Sequence, residues 1–262
     1  MRLIATAASG VHAQQVALDT LGNNMANVDT LGFKENQTDF AEALATVVNA
    51  GNTAQGGNFG GPLSVGSGVL YNATGTNFKQ GALVPTDRSL DLGIDGAGFF
   101  QVLMSDGTTG YTRVGALQVD GSGRLTDQYG NVVQPSISIP SDTTGLTVAA
   151  NGELTGSVKG ANPTNLGQIS LVGFQNPEGL QNAGNNIFKA TPNSGTPQIG
   201  QPGTTIGNQV LGTIRGQSLE QSNVDLATSM TDLIQVQRAY QLSARLISDG
   251  DQMWGTANSL RR

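Results

Sequence analysis

The sequence predicts an α+β protein with terminal helices that form a coiled-coil domain, a β-rich middle domain of antiparallel hairpins, and an extended Gly-rich arm. Three observations support this fold class. Apolar residues recur at heptad spacing at both ends of the chain. Short β-prone runs separated by turn dipeptides fill the middle. A stretch rich in Gly and Asn occupies residues 48–68.

The first helix is predicted over residues 3–26, where apolar residues alternate at spacings of three and four with Gln14 as a polar member. Gly10 and Gly22 lie inside it, and each costs about 1 kcal/mol relative to Ala. An isolated helix of this composition is marginal in water. We therefore expect this segment to need a partner helix.

The second helix is predicted over residues 223–257, with Gln237 and Asp251 interrupting its apolar stripe. Ser222 and Asn223 are expected to cap its first turn, and Asp225 to complement the helix dipole. The two helices could pair as a hairpin within one molecule, or their stripes could bundle between many copies. The residues expected to face other helices are Ile4, Val11, Leu18, Leu21, Met25, Leu226, Met230, Leu233, Tyr240, Ile247 and Trp254.

In the middle of the chain, turn signals recur every eight to twelve residues from Leu92 onwards, a pattern typical of antiparallel hairpins. Further strands are expected at Leu146–Ala149, Glu153–Val158, Gln168–Phe174 and Val210–Gln217. Residues 48–68 should form an extended arm or long loop, since their composition cannot bury a core.

Composition limits the function. The net charge of −6 disfavours binding to nucleic acid or to anionic membranes, so a partner is expected to be another protein. The chain has no cysteine, which excludes disulfides, zinc–thiolate clusters and thiol nucleophiles. No apolar run approaches 18 residues, and the first residues lack the pattern of a cleavable secretory signal.

No motif predicts catalysis, a metal site or a cofactor. His12 is the only histidine and is expected on the exposed side of the first helix, so no triad or metal pair can be built. The glycine pairs at 66–68 and 96–98 are not followed by a helix and predict turns rather than a phosphate loop. Asp120-Gly-Ser-Gly begins like a calcium loop but lacks the Glu at its twelfth position, so a hairpin turn is expected. Asp91 and Asp95 would lie about 13 Å apart on a strand and are expected on solvated faces or as turn caps.

Residues 23–34 resemble the amino-terminal signature of the bacterial flagellar rod and hook proteins, the axial proteins of the basal body. The signature residues are Asn23, Asn24, Ala26, Asn27, Thr30, Gly32, Phe33 and Lys34. The segment also makes physical sense as a helix end followed by an exit turn, in which the asparagines bond freed backbone groups, Gly32 permits a positive φ and Phe33 anchors the chain. Ser222–Asp225, Gln237–Tyr240 and Asp251–Met253 look like the terminal helix of the same family.

The length and the arm at 48–68 make the chain most similar to the members that form the distal rod. The opening Arg2–Ser9 departs from the usual pattern, which leaves the larger proximal rod subunit or a hook-type protein as alternatives, and more remotely an extracellular β-rich adhesin or fibre. The resemblance implies a structural subunit, not an enzyme, that polymerises helically into a rigid drive shaft spanning the periplasm.

The resemblance also implies the partners, which are other copies of the chain, other rod proteins, the hook protein, surrounding ring proteins and the type III export apparatus. Export is expected to occur without a cleavable signal. The implied domains are 1–34 with 222–262 as the inner tube, 35–78 as the arm region and 79–221 as the outer β domain.

Overall fold

The computed structural model describes residues 2–44, 46–48, 63–159, 162–207 and 209–260. These form two compact units. The helical unit contains Met1–Ala26, Asn36–Gly75 and Asp225–Arg262, and the β unit contains Asn27–Glu35 and Thr76–Val224. The predicted α+β class with a β-rich antiparallel middle is confirmed. The domain boundaries implied for the assembled state at 34, 78 and 221 stay a prediction.

Helix α1 (Arg2–Ala26) and helix α2 (Leu226–Ser259) pack against each other in the helical unit. Gly10 and Ser243 meet in this contact, since a Cβ placed on Gly10 would lie 3.4 Å from Ser243 Oγ. If Gly10 faces Ser243 in an antiparallel pair, Asn24 lies opposite Ser229 and the last turns of α2 have no α1 beside them. Asn24 and Ser229 are both buried and those last turns are exposed, which indicates the antiparallel arrangement.

The start of α2 differs from the prediction, because its N-cap is Asp225. The Asp225 carboxylate accepts hydrogen bonds from the amides of Ala227 (2.8 Å) and Thr228 (3.2 Å). The proposed caps Ser222 and Asn223 precede the helix and bond elsewhere. Sequence alone could not choose between them, because Ser, Asn and Asp are all strong N-cap residues and stand within four positions of one another.

A β ribbon lies along α1. It consists of β1 (Asn36–Glu42), β2 (Thr46–Val48), β3 (Leu63–Val65) and β4 (Val69–Thr76), with β1 paired to β4 and β2 to β3. Asn24 bonds the backbone of Asn36, and Ser9 Oγ accepts from the amide of Val69. From Asn24 to Ser9 α1 covers about 22 Å, and the strand from Asn36 to Ala43 covers about 23 Å, so the two elements run together. Residues 49–62, the centre of the predicted arm, lie outside the described residues.

The β unit contains the remaining strands and one short 3₁₀ helix at Pro177–Gly179. The strands are β5 (Leu83–Pro85), β6 (Leu92–Asp95), β7 (Phe99–Leu103), β8 (Thr109–Thr112), β9 (Gln118–Val119), β10 (Leu125–Thr126), β11 (Val132–Gln134), β12 (Thr143–Val148), β13 (Glu153–Val158), β14 (Thr164–Gln168), β15 (Leu171–Gly173), β16 (Gln181–Asn182), β17 (Ile187–Lys189), β18 (Gln198–Gly200), β19 (Thr205–Ile206), β20 (Gln209–Val210), β21 (Thr213–Gly216) and β22 (Ser218–Glu220).

Strand β7 is central to the main antiparallel sheet, where it pairs with β8, β11 and β15. Strands β12, β13 and β14 form a second sheet, and β5–β22, β6–β21 and β19–β20 are two-stranded pairs. The segment predicted as one strand at Gln168–Phe174 is divided between the end of β14 and β15. Two-residue strands such as β9 and β16 are too short for their periodicity to be recognised in the sequence.

The core of the β unit is apolar and fully enclosed. Its main cluster includes Leu92, Phe100, Leu117, Leu154 and Leu171, each with no exposed surface. Beside it lies an aromatic cluster with edge-to-face ring pairs, formed by Phe78, Phe99, Tyr111, Phe174 and Phe188. At about 25 cal/mol per Å² of apolar surface, burial of these large side chains is the main stabilising contribution to the unit.

The prediction that Asp91 lies on a solvated face or caps a turn is wrong, because Asp91 is buried. Its backbone bridges to Ala116, and its carboxylate Oδ1 lies 3.5 Å from Arg88 Nη1. The alternation in Ser89–Ile94 identified a strand region but not which side of it would be covered. Asp95 is exposed, as expected, and accepts a long hydrogen bond from Gln80.

Candidate assembly interface and buried charge cluster

Four of the predicted interface residues form a ridge on α1. Ile4, Val11, Leu18 and Met25 are seven residues apart and all half-buried, and Leu21 beside them is half-buried too. The buried apolar residues of α1 are Ala7, Ala13 and Ala17, and Asn24 near its end is buried as well. Within the chain, α1 therefore buries three of its alanines and leaves its large apolar side chains partly open.

The residues predicted on α2 separate into two groups. Leu233 and Ile247 are half-buried, on the side that also carries buried Ser229 and Gly250. The other four are exposed: Leu226, Met230, Tyr240 and Trp254.

Sequence reasoning missed further exposed apolar residues on α2, namely Ile234, Leu242, Leu246 and Met253. Their own spacings of four and seven (230–234, 242–246, 246–253) could have identified them as a second stripe. A helix with apolar residues on several sides is expected to be covered by more than one neighbour.

The signature segment forms the turn that leaves α1. The Thr30 hydroxyl donates to Asn27 Oδ1 (3.1 Å), and the Thr30 amide donates to the Asn27 carbonyl (3.1 Å). Gly32 has a φ of +64°, and its amide donates to the Glu220 carbonyl at 2.8 Å. A Cβ at Gly32 would lie 2.8 Å from Val114 Cγ2, so both the conformation and the space require glycine.

Lys34, at the end of the signature, belongs to a buried charge cluster in the β unit. Its ammonium group lies 2.6 Å from Glu220 Oε1 and donates to the Lys79 carbonyl at 2.8 Å. Glu220 Oε1 also accepts from the amide of Gly81 (2.9 Å), and Glu220 Oε2 lies 3.6 Å from Arg113 Nε. The side chains of Lys34 and Glu220 have no exposed surface.

Arg113 completes this cluster. Its Nη1 donates to the carbonyls of Gly96 (2.8 Å) and Gly98 (3.0 Å), and its guanidinium lies 5.6 Å from the centre of the Phe99 ring. The carbonyl groups of the Gly96–Gly98 turn thus accept hydrogen bonds from a buried cation, and a turn was predicted at this position. Burial lowers the pKa of Arg113, although an arginine stays charged in proteins.

Burial also lowers the pKa of Lys34, and the charge of Arg113 acts in the same direction, while the Glu220 carboxylate opposes both. Such a cluster contributes little net stability, but removing one partner is costly, since it leaves a buried charge uncompensated. The cluster instead fixes the positions of two distant segments relative to each other, since Lys34 and Glu220 are 186 residues apart in the sequence.

An asparagine network adjoins the cluster. Asn223 Oδ1 accepts from the amide of Glu35 (2.8 Å), and Asn223 Nδ2 donates to the carbonyls of Asn77 (2.8 Å) and Lys79 (3.1 Å). The Asn77 amide donates to the Glu35 carbonyl at 2.8 Å. Three passages of the chain, near residues 34, 79 and 221, are thereby held together. The sequence contained no signal for Arg113, Glu220 or Asn77, because contacts this distant leave no local pattern.

The described residues show no arrangement suited to chemistry at a metal. Their His, Asp and Glu side chains form no group of three or more that could hold a metal ion. His12 is exposed on α1, as expected. Asp120 caps a hairpin turn by accepting from the amides of Ser122 and Arg124, both at 2.8 Å. Among the described residues, neither helix combines the length and the hydropathy that are needed to cross a membrane.

Three family models match the chain. Residues 4–34 match the model described as flagella basal body rod protein, and residues 93–156 match the flagellar hook protein FlgE/F/G D1 domain. Residues 215–260 match the C-terminal model of the flagellar basal body rod FlgEFG proteins. The matches include both the helices and the signature turn.

Full-length relatives agree with these models. A flagellar basal-body rod protein FlgG of Borreliella burgdorferi is 38% identical over 100% of this chain and 99% of its own length. The FlgG proteins of Agrobacterium fabrum and Caulobacter vibrioides are 36% and 35% identical, over 97% and 100% of this chain and the same shares of their own lengths.

Proposed function

The chain belongs to the family of the flagellar basal-body rod protein FlgG and is a structural subunit of the rod, and from this premise we propose that it polymerises helically into a rigid distal drive shaft. The family is structural, so the chain is not an enzyme. The shaft would transmit torque from the motor to the hook.

The observation that carries this proposal is the separation of side chains on the terminal helices. Small residues such as Ala13 and Ala17 are used within the chain, whereas the ridge of Ile4, Val11 and Leu18 stays half-open. Heptad ridges of this kind pack knobs-into-holes against further helices. We infer that the ridge and the exposed stripes of α2 form the coiled-coil inner tube between subunits.

Helical assembly then follows from the type of interface. The ridge on α1 and the stripes on α2 are different surfaces, so a contact between them is heterologous. A heterologous contact that does not close into a ring builds an open filament. The β unit, with its own enclosed core, would form the outer layer.

The partners and location are proposed in the same way. The relatives are named as basal-body rod proteins, which supports a place in the basal body beside other rod proteins and the hook protein. Contacts with surrounding ring proteins, a position across the periplasm and delivery by the type III export apparatus are further parts of the proposal. The cysteine-free composition supports passage of an unfolded chain, since no disulfide has to form afterwards.

Polymerisation of the purified chain, followed by electron microscopy, tests the proposal. Leu18→Asp should abolish filaments, because it places a charge on the ridge while leaving the alanine face intact. The matched control is Gln15→Asp on the exposed side of the same helix, which should polymerise normally. Circular dichroism of the dilute chain should show equal helix in both variants. Normal filaments from Leu18→Asp would contradict the proposal.

A further inference from the structure

The last turns of α2 form an uncovered overhang. Gly250 is buried, but the described side chains after it, at 251–256 and 258–260, are all exposed. Met253 is 68% exposed, Trp254 53% and Leu260 83%. Because Gly10 faces Ser243 in an antiparallel pair, the first described residue of α1 reaches only to about residue 251 of α2. The overhang therefore lies beyond the described part of α1.

The overhang continues an interface that already exists in the chain. Trp254 follows the half-buried Ile247 by one heptad, and it lies on the side of α2 that α1 covers further back. A large aromatic side chain on an interface line, with no partner along the described part of α1, is the kind of residue that anchors a protein contact. The opposing surface has to come from elsewhere.

A second exposed apolar surface of the helical unit lies on the β1–β4 ribbon. Phe40 and Tyr71 are 41% and 44% exposed, and their rings meet edge to face with centroids 6.4 Å apart. Val69 is on the same side of β4 as Tyr71 and is 38% exposed. A two-stranded ribbon is marginally stable by itself in water, so a cover on this aromatic side would stabilise it.

Charge favours contact between these two surfaces. Asp39 and Glu42 flank Phe40, and no Lys or Arg occurs anywhere in residues 36–76. After Asp251 the sequence has no further acidic residue and carries Arg261 and Arg262, whose structure lies outside the described residues. Another exposed apolar stripe of α2, Leu242 and Leu246, is less suitable because it stands beside Arg238 and Arg245, which would repel Arg261 and Arg262.

We propose that, in the polymer, the α2 overhang of one subunit docks on the Phe40–Tyr71 side of the ribbon of a second copy. This docking rests on the proposed function, because it is a contact between subunits of a homopolymer. It is heterologous, with overhang and ribbon as different surfaces, and so it propagates along a filament. Trp254 would pack on an aromatic pair, where offset or edge-to-face geometry is favourable.

Cysteine cross-linking tests the docking. Only the introduced thiols can react, because the chain itself has no cysteine. Glu42→Cys and Asn258→Cys place single thiols beside the ribbon rings and on the overhang while keeping the aromatic residues. The two variants are mixed, polymerised and treated with a short bismaleimide. We expect a cross-linked heterodimer that neither variant forms alone. The control pair replaces Glu42→Cys with Tyr129→Cys, an exposed position in the β unit, and should give none.

A second measurement uses the critical concentration for polymerisation. Trp254→Ala should raise it at least about tenfold, because truncating a central aromatic anchor costs more than 1.4 kcal/mol. Tyr129→Ala should leave it unchanged. Filaments without the heterodimer, or with an unchanged critical concentration for Trp254→Ala, would overturn the docking alone. Failure of the unmodified chain to polymerise would instead overturn the proposed function.

Discussion

Replacing Lys34 by Met removes one charge from the buried cluster of the β unit. The apolar stem is retained, but Glu220 loses the ammonium that lies 2.6 Å from Oε1, and the Lys79 carbonyl loses its donor. Removing one partner of a buried ion pair costs about 3–5 kcal/mol, since the remaining carboxylate is left uncompensated. We expect the lower end, about 3 kcal/mol, because Gly81 and Arg113 still contact Glu220.

Urea unfolding followed by far-UV circular dichroism measures this change as a shift of the midpoint at constant m-value. In a thermal scan the same loss corresponds to roughly 6–12 °C for a unit of this size. The matched control is Lys189→Met, whose ammonium is partly exposed and lies 3.5 Å from exposed Asp106. Removing such a surface pair should cost at most about 1 kcal/mol.

A second variant separates charge from packing. Adding Glu220→Gln to Lys34→Met removes the unpaired carboxylate while keeping an acceptor for the Gly81 amide. We expect the double variant to be more stable than Lys34→Met alone, because an uncharged buried amide costs less than a buried anion. The reasoning is refuted if Lys34→Met costs under about 1 kcal/mol, or if Glu220→Gln destabilises it further.

Three more predictions follow from single sites. Gly32→Ala should lower the free energy of unfolding in urea by at least about 1–2 kcal/mol, because a left-handed φ is unfavourable for alanine. Gly22→Ala, at a position in open space on α1, should instead raise it by up to about 1 kcal/mol. Equal effects of the two substitutions would contradict this prediction. Asp225→Ala should cost about 0.5–2 kcal/mol through loss of the α2 N-cap, seen as reduced thermal stability of the helical signal, and no change would place the cap elsewhere. Hydrogen bonds from Thr108 lower the pKa of Asp106 from its ordinary value of 3.8, and those from Arg124 and Ser122 lower the pKa of Asp120. The contribution of these hydrogen bonds to folding stability is complete above pH 3.8 and is lost as the pH falls through the lower pKa values of the folded state. Titration midpoints at or above 3.8, measured by NMR, would contradict this prediction.

Both helices were predicted to within three residues of their observed ends, because a heptad pattern and glycine spacing are local properties. The antiparallel character of the middle was likewise readable from its turn dipeptides. The signature at Asn23–Lys34 led to the family, which full-length relatives confirm.

The N-cap and the burial of Asp91 were predicted wrongly. Ser222, Asn223 and Asp225 have similar capping preferences, and Asn223 is instead drawn to backbone groups of Glu35, Asn77 and Lys79. Asp91 lies beside strand residues whose cover comes from distant parts of the chain. In both cases a long-range contact overrode a local preference.

Local patterns in the sequence by themselves determined the helical ends and the β-rich middle, and the signature at Asn23–Lys34 led to the family, since each depends on residues close together in the sequence. Only the tertiary structure decided that α1 buries Ala7, Ala13 and Ala17 while the Ile4–Met25 ridge stays half-open, and that Lys34 meets Glu220. The physical reason is that burial depends on which surfaces meet. A helix with apolar residues on several sides is compatible with more than one packing, and the contacts between distant segments select among them.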